Sequence, residues 1–309
     1  MNNTIITQTH PGLANRQSRL TNPEPSPRQK CQRILMCRPD YFDVDYIINP
    51  WMEGNLHQTQ RDRVFQQWQK LYHSINSYAT VELIPPQPNL PDFVFTANAG
   101  VIRGDKAIVS RFRHPQRQGE EPSFKAYFQQ QGFTVYELPP NLPFEGAGDA
   151  LLDRGEGLLW AGYGFRSTLD SHGYLASWLD IEVVSLRLIN PKFYHLDTCF
   201  CPLTGGYLLY NPRAFDNNSN RLIEQRVPKT RRIPISAVDA ENFACNAVNI
   251  DNLIILHQAS NELKHRLTTI GFQVIETPLS EFLKSGGTAK CLTLRLTEPI
   301  ANFNGSREV

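Results

Sequence analysis

The chain has 309 residues, with 31 Lys and Arg against 30 Asp and Glu, for a formal net charge of +1. That length allows one large domain or two smaller ones, and the near-neutral balance offers neither a nucleic-acid footprint nor an anionic-membrane surface. No apolar run reaches the length of a membrane span and the opening MNNTIITQTHPGLANRQ has no signal-peptide apolar region, so the expected compartment is the cytoplasm.

Residues 1–30 are polar and rich in Pro, Ser and Asn; they read as a flexible tail ahead of a single domain at 31–309 whose end, TEPIANFNGSREV, looks frayed. Between them a pattern recurs about every fifty residues: an amphipathic segment, a β-rich run, a polar motif, then a strand–turn–strand. The first copy runs RDRVFQQWQKLYHSINSY, VELIPP, DFVFTANAGVIRGDKAIVSRF. The second is FKAYFQQQG, FTVYELPP, FEGAGDALLDRGEGLLWAGYGF, and the third TLDSHGYLASWLD, IEVVSL, FYHLDTCFCPLTGGYLLYNP. The fourth is SNRLIEQRV, RRIPIS, ENFACNAVNIDNLIILHQA; the fifth is NELKHRLTTIG, FQVIETP, SGGTAKCLTLRL, with RILMCRPDYF from the N-terminal side available to complete it. Turn chemistry recurs at equivalent places, as RGDK, RGEG, LTGG and IDN.

Each unit is too small to bury its own apolar face, so five copies must pack on one another, and closure by the N-terminal strand removes the sheet edges. The expected fold class is α/β, a five-bladed pseudo-symmetric propeller with helices outside. Helix–strand alternation alone would give a doubly wound sheet instead; the repeat, which keeps each motif at one strand end, favours the ring.

The six cysteines are scattered, and in a reducing compartment they are expected as thiols. The C-F-C at 199–201 lacks zinc-ribbon spacing and a second pair, so neither a metal nor a cofactor is expected. Cys31 and Cys37 read as tail or packing residues, and Cys199, Cys201 and Cys245 as core. Cys291 differs. The motif positions carry Asp92 and Asn98, Glu145 and Asp149, His195, and Cys291, which a closed ring would gather around one cavity. Alone, each has a plain reading: a buried small hydrophobe for Cys291, a hydrogen-bonded imidazole for His195, turn residues for Glu145 and Asp92. Together they make a thiol nucleophile with acid–base help and a seat for a cation.

PDFVFTAN, FEGAGDALL, VSRFRHPQR, GYGFRST, FYHLDTCF and SGGTAKCLT together resemble the guanidine-modifying (amidinotransferase, or pentein) superfamily, over roughly residues 32 to 297. Its members include dimethylarginine dimethylaminohydrolases, arginine deiminases and cyanobacterial-type arginine dihydrolases. The resemblance implies the same five-fold propeller. It implies Cys291 as the nucleophile that attacks a guanidinium carbon, His195 as general acid and base, and Glu145 and Asp92 as carboxylates that pair with the guanidinium. It also implies Arg117 and Arg166 as holders of an α-carboxylate, with Arg111 and Arg113 near enough to leave that assignment open, and Asn49 as a substrate contact. A guanidinium is a poor electrophile, so it needs a soft nucleophile and firm orientation by carboxylates along its N–H edges. Gly286 and Gly287 are expected to turn the chain tightly and leave space beside the sulfur.

Two arginines placed for a carboxylate point to an amino-acid substrate rather than agmatine. Asn98 stands where the deiminating and dimethylarginine-hydrolysing relatives usually carry an acid. A neutral amide both donates and accepts, so it serves a charged guanidinium and an uncharged ureido group alike. By resemblance the chain is therefore expected to be an arginine dihydrolase, taking L-arginine through bound citrulline to ornithine, ammonia and carbon dioxide. Alternatives are a dimethylarginine dimethylaminohydrolase or a deiminase that stops at citrulline and, more remotely, a non-catalytic pentein-fold binding protein. The expected partner is a small-molecule substrate, with no nucleic acid and no membrane; a homo-oligomer is left open. In the longer dihydrolase relatives this module precedes a further region that processes ornithine.

Overall fold

The computed structural model describes residues 32–298, so the expected tail at 1–30, Cys31 and most of the expected frayed end lie outside the described residues. Strand β1 (Arg33–Cys37) is buried at four of its five positions, as a strand flanked on both edges should be. After a long connection comes helix α1 (Arg61–Asn76), whose buried Val64, Trp68, Leu71 and Ile75 recur at helical spacing and form one apolar stripe. It leads to β2 (Thr80–Ile84), which pairs parallel with β1, from Arg33 opposite Thr80 to Cys37 opposite Ile84.

Four similar sheets follow. In the first, β3 (Gly100–Arg103) and β4 (Lys106–Val109) form a hairpin, and helix α2 (Glu121–Gln130) returns the chain to β5 (Thr134–Glu137), parallel to β4. The second has β6 (Ala150–Leu152), β7 (Leu158–Tyr163), helix α3 (Ser171–Leu179) and β8 (Glu182–Arg187). The third has β9 (Phe200–Leu203), β10 (Tyr207–Tyr210), helix α4 (Asn217–Arg226) and β11 (Arg232–Pro234). The fourth has β12 (Val248–Ile250), β13 (Leu253–Leu256), helix α5 (Asn261–Thr269) and β14 (Gln273–Glu276). The fifth sheet is made from both ends of the chain: β15 (Leu294–Arg295) pairs antiparallel with β1, Leu35 opposite Leu294. Two-residue turns at Gly104–Asp105 and Asp251–Asn252 join their hairpins, as the sequence expectation has it.

The sequence repeat and the sheet are offset by one step. A parallel partner cannot be reached by a tight turn, so each helix carries the chain from the middle strand of one sheet to its outer strand. The repeat that begins with that helix then contributes its hairpin to the next sheet. Every repeat is thereby shared between two blades.

The core follows the same logic. It consists of five clusters, each at a junction between neighbouring blades. Val101 and Ile108 meet Ala150 and Leu159; Trp160 and Leu186 meet Phe200 and Leu208; Cys201 and Leu209 meet Ala247 and Ile254. Val248 and Ile255 meet Ile34 and Met36, and Leu35 and Leu294 meet Ala99 and Val109, which closes the ring. Cys37, Cys199, Cys201 and Cys245 are buried thiols within these clusters, in line with the core reading. Among the described residues no helix is long and apolar enough to cross a membrane.

At the closing junction the rings of Phe93 and Phe124 stack with centroids 4.3 Å apart, both fully buried. Truncating Phe124 to Ala removes one ring from a site that cannot collapse easily, and should cost about 3–5 kcal/mol in urea unfolding. A loss below about 1 kcal/mol would show that this junction does not carry the ring.

Candidate active site

Before each inner strand the chain makes a tight turn, and these turns gather at one end of the axis. They are Thr96–Ala99 before β3, Gly146–Gly148 before β6 and Leu196–Thr198 before β9, with residues 243–246 before β12 and 286–291 before β15. Bonds between turns show that they meet. Asn98 Nδ2 donates to Glu145 O at 3.2 Å, Asn246 Nδ2 to Asp197 O at 3.0 Å, and the Ala97 amide to Cys291 O at 3.1 Å. Glu145 and His195 hold the same repeat position, five residues ahead of Ala150 and Phe200, and Asn98 and Asn246 share another, two ahead of Gly100 and Val248.

The first cluster pairs acid and base. His195 Nε2 lies 2.7 Å from Glu145 Oε2, and Arg166 Nη1 donates to the same oxygen at 2.9 Å. Burial by itself would raise the Glu145 carboxyl, but Arg166 and His195 outweigh it and hold the group well below the ordinary carboxylate range. Asp149 sits behind this pair, accepting from Ser167 Oγ at 2.6 Å and from the Leu196 amide at 3.0 Å; burial pushes it up to about 6.

The second cluster surrounds Asn98. Arg117 donates twice to the Glu120 carboxylate, both at 2.8 Å, once to Asp92 O at 3.1 Å and once to Asn98 Oδ1 at 2.9 Å. Four of the roughly five N–H groups a guanidinium offers are thus committed, and the main visible work of Arg117 is to orient the Asn98 amide. Arg166 commits two, to Glu145 and to Ile48 O at 3.1 Å. Of the two arginines left open, Arg111 is tied to Glu121 at 2.6 Å, whereas the Arg113 amide donates to Glu145 Oε1 at 3.2 Å. Asp92 accepts from Tyr46 Oη at 2.9 Å and Ser285 Oγ at 3.1 Å.

The third cluster holds the sulfur. Cys291 Sγ receives Asn246 Nδ2 at 3.1 Å and lies 3.4 Å from Asp197 Oδ2. Asn246 Oδ1 also accepts from the amides of Thr288, Lys290 and Cys291, which fixes the loop that presents the thiol. Sequence reasoning missed both Asp197 and Asn246. The signals were an acid two places after His195 and an asparagine in the repeat position of Asn98. Burial, followed by the Asp197 charge, pushes the Cys291 thiol well above its ordinary value; burial also raises Asp197 to about 7.

Glycine makes room where these clusters converge. A Cβ on Gly148 would lie 2.3 Å from Asn98 Nδ2 and 3.3 Å from His195 Cγ. Gly286 adopts φ +82°, the tight turn expected of it, but the space at Gly287 goes to the Phe95 ring, 2.5 Å from where a Cβ would stand. The expected gap beside the sulfur at Gly287 is therefore corrected: the glycine admits a core ring, not a substrate.

The segment between β1 and α1 covers the site through Tyr46 on Asp92, Ile48 O on Arg166, and Asn49 Nδ2 on Ser285 O at 3.1 Å. Cys291 is 3% exposed and His195 1%.

Residues 39–298 match the family model described as N,N dimethylarginine dimethylhydrolase, eukaryotic. The chain is 65% identical over 268 residues to the bifunctional arginine dihydrolase/ornithine cyclodeaminase AgrE of Nostoc sp., covering 87% of this chain and 38% of that protein. It is 36% identical to the N(G),N(G)-dimethylarginine dimethylaminohydrolase of Mycobacterium tuberculosis, covering 86% of each. Crystal structures of the N-terminal domain of ArgZ, described for its substrate complex as an arginine dihydrolase from the ornithine-ammonia cycle in cyanobacteria, superpose with TM-score 0.86 at 62% identity and cover 86% of this chain and 98% of theirs. One is bound to substrate, another covalently bound to a reaction intermediate. The chain thus spans well under half the length of AgrE.

Two outcomes follow from the geometry. The Cys291 thiol should alkylate slowly with iodoacetamide at neutral pH and accelerate only at a pH above the ordinary thiol range, and Asp197→Asn should move that onset to lower pH by removing the adjacent negative charge; an unchanged onset would contradict the contact. Gly148→Ala should retain the folded far-UV spectrum yet lose about 10² or more in turnover, because it displaces Asn98 and His195 together.

Proposed function

The chain belongs to the N,N-dimethylarginine dimethylhydrolase family, and within it we propose that this domain is an arginine dihydrolase. The observation that carries the reading is the neutral Asn98 amide, oriented by Arg117 and bonded to the Glu145 backbone, beside a thiol–carboxylate pair. The strong likeness to AgrE, and to the ArgZ domain seen with substrate and with a covalent intermediate, supports it.

In the proposed cycle the guanidinium docks between Asp197 and Glu145, and its α-carboxylate meets Arg166 and the remaining N–H of Arg117. Asp92 and Asn49 complete the substrate wall. The arriving cation offsets the carboxylate that helps hold the thiol protonated, so Cys291 ionises and releases its proton to solvent as substrate docks, while His195 keeps the proton it later gives up. The thiolate adds to the guanidinium carbon, and His195 protonates the departing nitrogen as ammonia. His195 then takes a proton from water, which adds to the covalent carbon; the C–S bond breaks and citrulline remains bound. A second round attacks the ureido carbon, expels a second ammonia and, after a second water, leaves the carbamate of ornithine, which loses carbon dioxide. Each round consumes one water, releases one ammonia and restores the thiol.

Purified protein given L-arginine should release two ammonia per arginine and yield ornithine, read by coupled ammonia assay and amino-acid chromatography. Asn98→Asp should halve the ammonia and accumulate citrulline. Citrulline as the end product of the unaltered protein would replace this reading with the deiminase one.

A further inference from the structure

Beyond Cys291 the inner strands line a second space, together with Ala147, Cys245 and Lys290 of the catalytic turns. It is small, with about 50 Å³ of room for the centres of water-sized spheres, and all five blades contribute apolar wall, among them Ile34, Val101, Leu151, Phe200 and Val248. Four charged residues also line it: Arg154, Lys290, Arg295 and Glu298. Arg154 Nη1 pairs with Glu298 at 2.8 Å, but Arg154 Nε is buried without a partner. Arg295 spends its donors on neutral oxygens, Gln32 Oε1 at 2.6 Å and the carbonyl of Asn249. Lys290 Nζ reaches only the Thr293 carbonyl, at 3.4 Å. Glu298 and then Asp251 act on Arg295, and Asp197 and Glu298 on Lys290, yet among the described residues neither cation has a carboxylate at ion-pair distance. Burial and the like charge of Arg154 push Arg295 down to about 10. Three cations that share one lining carboxylate, Glu298, in a largely apolar space are costly, and an anion of matching size relieves that cost.

We propose that this far cavity is a binding site for a small oxyanion or carboxylate, gripped by the guanidinium groups of Arg154 and Arg295 with the Lys290 ammonium behind them. Forked N–H groups suit a planar or tetrahedral anion bidentately, and the apolar wall strengthens each charged bond. The site is distinct from the arginine seat: Arg154 and Arg295 lie at the strand ends away from the catalytic turns, and Lys290, next to Cys291, stands between the two. Its existence does not depend on the reaction proposed above.

The experiment is calorimetric titration of the full chain with sulfate and, separately, with malonate, at constant ionic strength in a buffer of neutral and cationic components. Saturable binding is expected, weakened about tenfold or more in Arg154→Gln by loss of a charged hydrogen bond. Arg154→Lys, which keeps the charge and guards against a folding defect, should retain most of the affinity. Arg166→Gln, which removes a cation at the catalytic end, should leave it unchanged. Tighter sulfate identifies the ligand class as an inorganic oxyanion, and tighter malonate as a carboxylate metabolite. Equal affinity in Arg154→Gln and the unaltered chain, loss of binding in Arg166→Gln, or heat without saturation would each overturn the site.

Discussion

The pairing of β1 with β15 governs this molecule. Each sheet has three short strands, too few to stand alone in water, and each core cluster is assembled from two neighbouring blades. A missing fifth junction would leave two clusters half made. Closure is reinforced beyond the ladder: the Leu296 amide donates to Arg33 O at 2.8 Å, and the Arg33 amide to Thr297 Oγ1 at 2.8 Å. Because Cys291 sits just before β15, the same closure seats the sulfur. Its carbonyl is held from the first blade by the Ala97 amide and its own amide from the fourth by Asn246. Folding and placement of the nucleophile are one event.

That geometry sets an electrostatic condition on reactivity. A thiol beside a carboxylate in a buried site stays protonated, and the charge that would reverse this is not fixed beside the sulfur. The nearest cationic side chain in sequence, Lys290, is turned to the far cavity. Arg166 is bound to Glu145, and Arg117 to Glu120. The Lys290 charge does not overcome burial and Asp197 at the thiol, and in the proposed reaction a guanidinium supplies the missing charge. Selectivity for a cationic, planar group and activation of the nucleophile then have one cause. Thiols elsewhere in the ring lack such a seat and remain packing residues.

Much of the fold was legible because its determinants are local. Turn residues, the stripe on α1 and the repeat period each announce themselves within a short window. The offset between repeat and blade was not legible, since periodicity defines a unit without saying which sheet its third strand joins. At the site, His195 and Glu145 stood out as ionisable groups at one repeat position. Asn246 did not, because an uncharged residue in ENFACNAV carries no chemical signal until it is seen holding the Cys291 loop. Asp197 reads as an ordinary turn residue in HLDT, and its contact with Cys291 spans 94 positions, a consequence of ring closure alone. The commitment of Arg117 to Glu120 was equally hidden. Two residues three apart in sequence suggest a surface pair, not a buried clamp on the amide of Asn98.

Charge also explains why an amide would suit position 98 under the proposed reaction, in which one site handles two successive substrates. With guanidinium bound, the ring of acids at Glu145, Asp197 and Asp92 faces a cation. With a ureido group bound it faces a neutral dipole, and each anion left without a partner becomes expensive in a buried site. Glu145 keeps its partners, Arg166 and His195, throughout. Asp197 stands at about 7, so it can take up a proton near neutrality when the cation is gone, and then offers an O–H to the ureido oxygen. A fourth carboxylate at position 98 would have no such release, because Arg117 is nearly saturated and would hold it ionised. In the proposed cycle the neutral amide avoids that penalty in the second round while still accepting a hydrogen bond in the first, a difference in burial cost that favours two rounds of hydrolysis over one.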